Sequence, residues 1–172
     1  MNQIRPKSFR ILAITPSTRG FGFAVLEGEK TLVDWGTKPA RGDKNAQSLV
    51  KVEDLIVHYQ PDILVLEDAL AKNSRRSSRI KELSQQIIAL AGTCKTKVTL
   101  FSREQVRCRF FEDGEGTKHA LATIIAGRFP AELGSILPPK RRLWASEDRS
   151  MDIFDAVAVA LVLRLKTQQS IG

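Results

Sequence analysis

Cysteine is scarce in this chain of 172 residues, where Cys94 and Cys108 are the only two. They fit no metal-ligand spacing and no disulfide framework, which points to reduced thiols in a cytoplasmic protein. A long hydrophobic run is also missing. The most apolar stretch, Ile153 to Leu163, is too short to cross a bilayer and carries Asp155. The basic residues between Met1 and Arg10 precede no apolar segment of signal-peptide length. No membrane partner is therefore expected. Internal repeats and low-complexity tracts are absent, and nothing marks a second domain, so residues 1–172 read as one domain. Histidine is limited to His58 and His119. His58 lies late in an amphipathic helix and reads as structural, while His119 stands at a helix start where it can reach a phosphate.

What the chain has in excess is positive charge. Its 27 Lys and Arg against 19 Asp and Glu give a formal net charge of +8. Such a surplus favours a polyanionic partner, because each cation laid on a polyanion releases a condensed counterion. The hydrophobic share of 42% is ordinary for a globular domain of this length. Aromatics make up only 6%, so stacking on single-stranded bases is not the expected main mode of binding. Phosphate contacts with shape readout fit better. Trp35 and Trp144 are expected in the core.

Arg10 to Ile14 is a short apolar run that stops at Thr15-Pro16-Ser17, as a strand stops at a turn. Gly20 to Leu26 alternates Phe21, Phe23 and Val25 with small residues, and Thr31 to Trp35 follows a turn at Gly28-Glu29. Three strands on short turns make an antiparallel meander. Asp43 to Tyr59 carries Leu49, Val52, Leu55, Ile56 and Tyr59 at helical spacing. Asp62 to Glu67 is a nearly continuous apolar run, the pattern of a strand buried on both faces. A helix through Leu83, Ile87 and Leu90 stops near Gly92, and a fifth strand spans Lys97 to Phe101. A short helix covers Arg103 to Phe111, Thr117 caps the next, and the last runs from about Ser150 to Lys166. The order predicts an α/β protein with a mixed sheet flanked by helices.

Carboxylates at the ends of buried elements carry the chemistry. Glu67 closes the strand Ile63-Leu64-Val65-Leu66, so it emerges at the sheet's carboxyl edge, where α/β proteins place ligands. Asp68 points to the opposite face. Asp152 and Asp155 share one face of an otherwise apolar helix. Singly, each has an ordinary structural reading; Asp152, for instance, complements a helix dipole. Together they suggest a site for a hard cation such as Mg²⁺ or Mn²⁺.

The segment Ile11-Leu-Ala-Ile-Thr-Pro-Ser-Thr-Arg-Gly-Phe-Gly-Phe-Ala-Val25 resembles the opening hairpin of RuvC-type Holliday junction resolvases. Pro61-Asp-Ile-Leu-Val-Leu-Glu67 is similar to that family's second motif, and Met151-Asp-Ile-Phe-Asp-Ala-Val-Ala-Val-Ala160 to its last. The resemblance spans residues 9–165. It implies a ribonuclease-H-like fold, a five-stranded mixed sheet with helices on both faces. It further implies a homodimer that binds four-way DNA in recombination and repair and makes paired, metal-dependent cuts. Two Mg²⁺ or Mn²⁺ ions per site would rest on four carboxylates, whose matching positions here are Thr15, Glu67, Asp152 and Asp155. Thr15 stands where the family has Asp, and Ser17 replaces the Gly of the usual turn. Either the chain binds without cutting, or another group compensates, or the natural sequence has been altered. A non-catalytic nucleic-acid-binding protein is the rival reading. Actin-like ATPases share the superfold but need two such domains.

Two basic elements are candidate DNA contacts. Lys72 to Lys81 contains Lys72, Arg75, Arg76, Arg79 and Lys81 with no acid, and it follows directly on Glu67. A solvated helix face is its plain alternative. Lys140-Arg141-Arg142 precedes the final motif, and Lys118 opens a helix after a glycine-bearing loop. The glycines of Gly20-Phe-Gly22 read as allowing close packing rather than cradling phosphate.

Overall fold

The computed structural model of the chain describes residues 7–170. Residues 1–6, part of the basic N-terminal segment, lie outside the described residues. Strands β1 (Arg10–Ser17), β2 (Gly20–Glu27), β3 (Thr31–Pro39), β4 (Ile63–Glu67) and β5 (Lys97–Phe101) form one sheet in the order β3-β2-β1-β4-β5. The first three pair antiparallel, while β4 is parallel to both β1 and β5. This is the mixed five-stranded sheet that the sequence predicts. The helices are α1 (Lys44–Tyr59), α2 (Ser78–Thr93), α3 (Arg103–Phe110), α4 (Lys118–Arg128), α5 (Pro130–Leu133) and α6 (Met151–Gln169). Among the described residues, no helix is long and apolar enough to cross a membrane.

Strand alternation decides which helices each side chain meets. Leu12, Ile14, Leu64 and Leu66 pack with Val52 and Leu55 of α1 and Leu83 and Ile87 of α2. Ile11, Ala13 and Val65 pack on the other face, in the core that holds Phe154, Val157 and Ala158 of α6. Ile11 is in register with Ile63 and Ala13 with Val65. Two residues further on, the same parity aims Thr15 and Glu67 at the α6 layer. A buried strand pair thus delivers both positions to one place.

The helices start where a side-chain oxygen is available. Asp43, Ser77, Ser102 and Thr117 each accept a backbone N–H from the first turn that follows. Three boundaries differ from the sequence reading. β1 continues through Pro16, which is in register with Phe21 on β2. Its pairing with β4 ends at Ile14, so Pro16 lies where the strand has one neighbour and a missing N–H costs little. β3 runs on past Trp35 to Pro39, and α2 passes Gly92 to end at Thr93. The short α5 was not anticipated.

Gly22 is where the last helix touches the sheet. A Cβ there would stand 2.3 Å from the carbonyl oxygen of Asp152 and 2.7 Å from its Cβ. The expectation of close packing holds, with helix α6 as the neighbour. Because backbone would have to move, Gly22→Ala should cost about 2–3 kcal/mol, measured by denaturant unfolding.

Candidate functional site

The carboxyl ends of β1 and β4 meet the first two turns of α6 and the start of α4. Thr15, Glu67, Asp155, Arg103 and Lys118 line one cavity of about 60 Å³, room for a few waters and far too small for a nucleotide. Asp152 joins through its backbone: its carbonyl accepts the Thr15 hydroxyl at 2.9 Å. Its side chain lines a small pocket with Ser17, whose hydroxyl favours the charged carboxyl. All four positions singled out by the sequence therefore gather at this end of the sheet.

Their partners differ from those of an open two-ion site. Glu67 is buried, and each of its oxygens is taken by an arginine. Arg76 Nε donates to Oε2 at 2.6 Å, and Arg103 Nε donates to Oε1 at 2.6 Å. Thr15 is 3% exposed and spends its only proton on backbone carbonyls. Lys118 Nζ donates to Glu147 Oε1 at 2.5 Å and lies 3.0 Å from Asp155 Oδ2. Three side-chain cations, Arg76, Arg103 and Lys118, pair with these carboxylates.

Glu147 joins the site without any pattern in the sequence that singles it out. One oxygen each from Glu147, Asp152 and Asp155 lies within 4.8 Å of the others. It arrives from the loop before α6, in which no periodicity announces its direction. Arg103 and Arg107 were likewise not anticipated as site residues. Ser102 caps α3 with a reciprocal bond from Gln105, and this fixes the helix start that presents both arginines.

Electrostatics follow from these pairings. Burial would raise the Glu67 pKa, but hydrogen bonds and charge from Arg76 and Arg103 outweigh it and hold the carboxyl below its ordinary value. Burial raises Asp155, and Lys118 only partly offsets that, since one ammonium serves two carboxylates. Asp152 is also raised, first by burial and then by the nearby Asp155 charge. Lys118 stays firmly protonated, because Asp155 and Glu147 overcome its own desolvation.

The donor set does not fit two bridging dications. The position opposite Asp152 offers a hydroxyl that already donates, and each Glu67 oxygen already accepts from a guanidinium. What remains is the Glu147–Asp152–Asp155 group, with Lys118 inserted among its oxygens.

The basic segment after Glu67 divides into two sorts of residue. Arg76 clamps Glu67, and Arg79 donates to Asn45 Oδ1 at 3.0 Å and to the Ser17 carbonyl at 3.1 Å, tying α2 to α1 and to the end of β1. Lys72 and Arg75 are exposed, Lys81 is half-buried, and Lys72 and Arg75 line a second cleft of about 580 Å³ with Arg103 and Arg107. Lys140, Arg141 and Arg142 are exposed in the loop before α6. His119 Nε2 donates to the Pro138 carbonyl at 3.0 Å, so its ring is engaged within the chain. The expectation of two core tryptophans needs correction. Trp35 packs at the core's margin, but Trp144 is 81% exposed because its loop stands clear of every layer.

Solved structures with this architecture include Thermus thermophilus RuvC, at 16% identity and a TM-score of 0.68, covering 94% of this chain and 97% of that one. T. thermophilus RuvC in complex with Holliday junction substrate aligns at 15% identity and a TM-score of 0.67, over 94% of this chain and 96% of that one. The yeast mitochondrial Holliday junction resolvase Ydc2 aligns at 13% identity and a TM-score of 0.64, over 99% and 85%. No family model matches the chain, and no curated protein matches its sequence. Identity this low speaks for architecture alone: the chain has the ribonuclease-H-like α/β fold seen in RuvC and Ydc2.

Proposed function

We propose that this chain binds branched DNA, with a four-way junction as the preferred form, and that its carboxylate centre is closed to two-ion cleavage. The closure of Glu67 between Arg76 and Arg103, beside a cleft rich in Lys and Arg, carries the reading. The net charge of +8 and the fold shared with a protein solved on a Holliday junction substrate support the choice of ligand. In this reading, Lys72, Arg75, Arg107 and the 140–142 triplet meet phosphates. Arg76 and Arg103 hold Glu67 and offset its charge. Lys118 bridges Asp155 and Glu147 and offsets part of their charge. A homodimer would place two such faces on the symmetric arms of a junction.

A second reading is metal-dependent, paired cutting with Mg²⁺ or Mn²⁺. One observation favours it, the third carboxylate that Glu147 adds beside Asp152 and Asp155. A labelled four-way junction, incubated with either ion and scored for binding and for symmetric nicks, separates the two. Binding without nicks is the expected result, and efficient nicking with Mg²⁺ would establish the second reading.

The cleft also makes a salt-dependence prediction. Changing Lys72, Arg75 and Arg107 together to Ala should flatten the slope of log affinity against log salt by roughly 2 to 3. Arg79→Ala should leave the slope unchanged while costing about 1 kcal/mol of stability, because its bonds are internal. Junction titrations at several salt concentrations and a parallel unfolding curve check both.

A further inference from the structure

Resting on the DNA-binding reading, we infer that Leu143 and Trp144 are the tip of a wedge that inserts among the bases at a DNA branch point. Leu143 is 98% exposed and Trp144 81% exposed. Both legs of their loop are pinned to the start of α4. His119 holds the Pro138 carbonyl at 3.0 Å on one side, and Lys118 holds Glu147 at 2.5 Å on the other. At the tip, the Ala145 N–H donates to the Arg142 carbonyl at 3.0 Å and closes a turn. The loop is thus tethered at its base, and its two large apolar side chains are left in water.

The surroundings decide what covers them. Lys140, Arg141 and Arg142 immediately precede the tip, no acid occurs between Leu137 and Ser146, and Arg142 sits 5.8 Å from the Trp144 ring. A second copy packed tip to tip would bring these like charges together. A polyanion is complementary to them. One leg of the loop ends at Glu147, paired with Lys118 at the edge of the carboxylate centre, and Arg107 lines both that centre and the cleft proposed to meet phosphates. Apolar side chains inserted between base steps unstack them, and aromatic rings then stack on the freed base. A branch point offers such steps more cheaply than a continuous duplex.

Trp144 is its own reporter. In a Trp35→Phe background it is the sole tryptophan, and its fluorescence should be quenched by a four-way junction and little changed by duplex of equal length. Trp144→Ala should weaken junction binding about tenfold and leave duplex binding within about twofold, with Trp144→Phe close to the unsubstituted protein. Failure to bind any junction in a mobility assay would remove the DNA-binding reading itself. Junction binding with unaltered fluorescence, or with equal affinity for Trp144→Ala, would overturn the wedge alone. So would Trp144-dependent self-association in sedimentation, or quenching by anionic vesicles in place of the junction.

Discussion

Glu67→Ala will lower the unfolding free energy by about 2–3 kcal/mol at pH 7, with most of the loss traced to Arg76. Arg76 is largely covered and would keep its charge without a partner, whereas the half-exposed Arg103 can turn to water at little cost. The sign of this change is diagnostic. A carboxylate kept for an absent cation would be repelled by neighbouring carboxylates, and its removal would stabilise the fold. Here two guanidinium groups already compensate it. The pH dependence follows from the depressed pKa of Glu67. Its contribution is complete above the ordinary value of 4.5 and is lost as pH falls through the lower folded value. Asp152 and Asp155 act the other way, since their raised values penalise the fold increasingly as pH climbs above the ordinary 3.8. The difference between the parent protein and Glu67→Ala should therefore shrink only at acid pH, well below neutrality. Chemical denaturation at a series of pH values measures it. A stabilised Glu67→Ala variant would show that the two arginines do not hold the carboxylate in solution.

The sheet and the placement of the site were legible because both rest on short-range rules. Parity along β1 and β4 sends Thr15 and Glu67 to one face, and helical spacing does the same for Asp152 and Asp155. Each rule can be applied to a short run of letters. The partners of those side chains follow no such rule. Arg76 and Arg103 reach Glu67 from a loop before α2 and from the first turn of α3, nine and thirty-six residues away. Glu147 lies in a segment without periodicity, where direction is set by Lys118 on another element. Size and aromatic character place Trp144 inside on sequence grounds, and only the position of its loop outside both layers leaves it in water. Pro16 suggested a turn, yet a strand with one neighbour accommodates it. The sequence thus foretells which groups meet, but charge pairing within the site depends on tertiary placement.

Thr15→Asp, the change that restores the residue expected at the end of β1, should produce no cleavage and should cost about 3–5 kcal/mol of stability. The Thr15 hydroxyl donates to the Asp152 carbonyl at 2.9 Å in a position that is 3% exposed. An aspartate would replace this donor with an acceptor facing an acceptor. It would also add an anion beside Asp152 and Asp155, whose carboxyls burial already pushes up. The cations of the centre are already paired, Arg76 and Arg103 with Glu67 and Lys118 with Asp155 and Glu147. The new carboxyl should therefore have a raised pKa of its own. Its penalty should grow with pH, being small near pH 4 and largest above neutrality. Two measurements check this, the melting temperature of the variant with and without Mg²⁺ and the nicking of a labelled junction. An ion that completed the site would raise the melting temperature of Thr15→Asp selectively, by binding the folded state alone. No such rise is expected while the arginines hold Glu67. Releasing them with Arg76→Ala and Arg103→Ala in the same variant frees both Glu67 oxygens, and a Mg²⁺-dependent rise should appear only then. Efficient Mg²⁺-dependent nicking by Thr15→Asp alone would mean that the clamp opens on DNA, and that this centre is an enzyme lacking a single carboxylate.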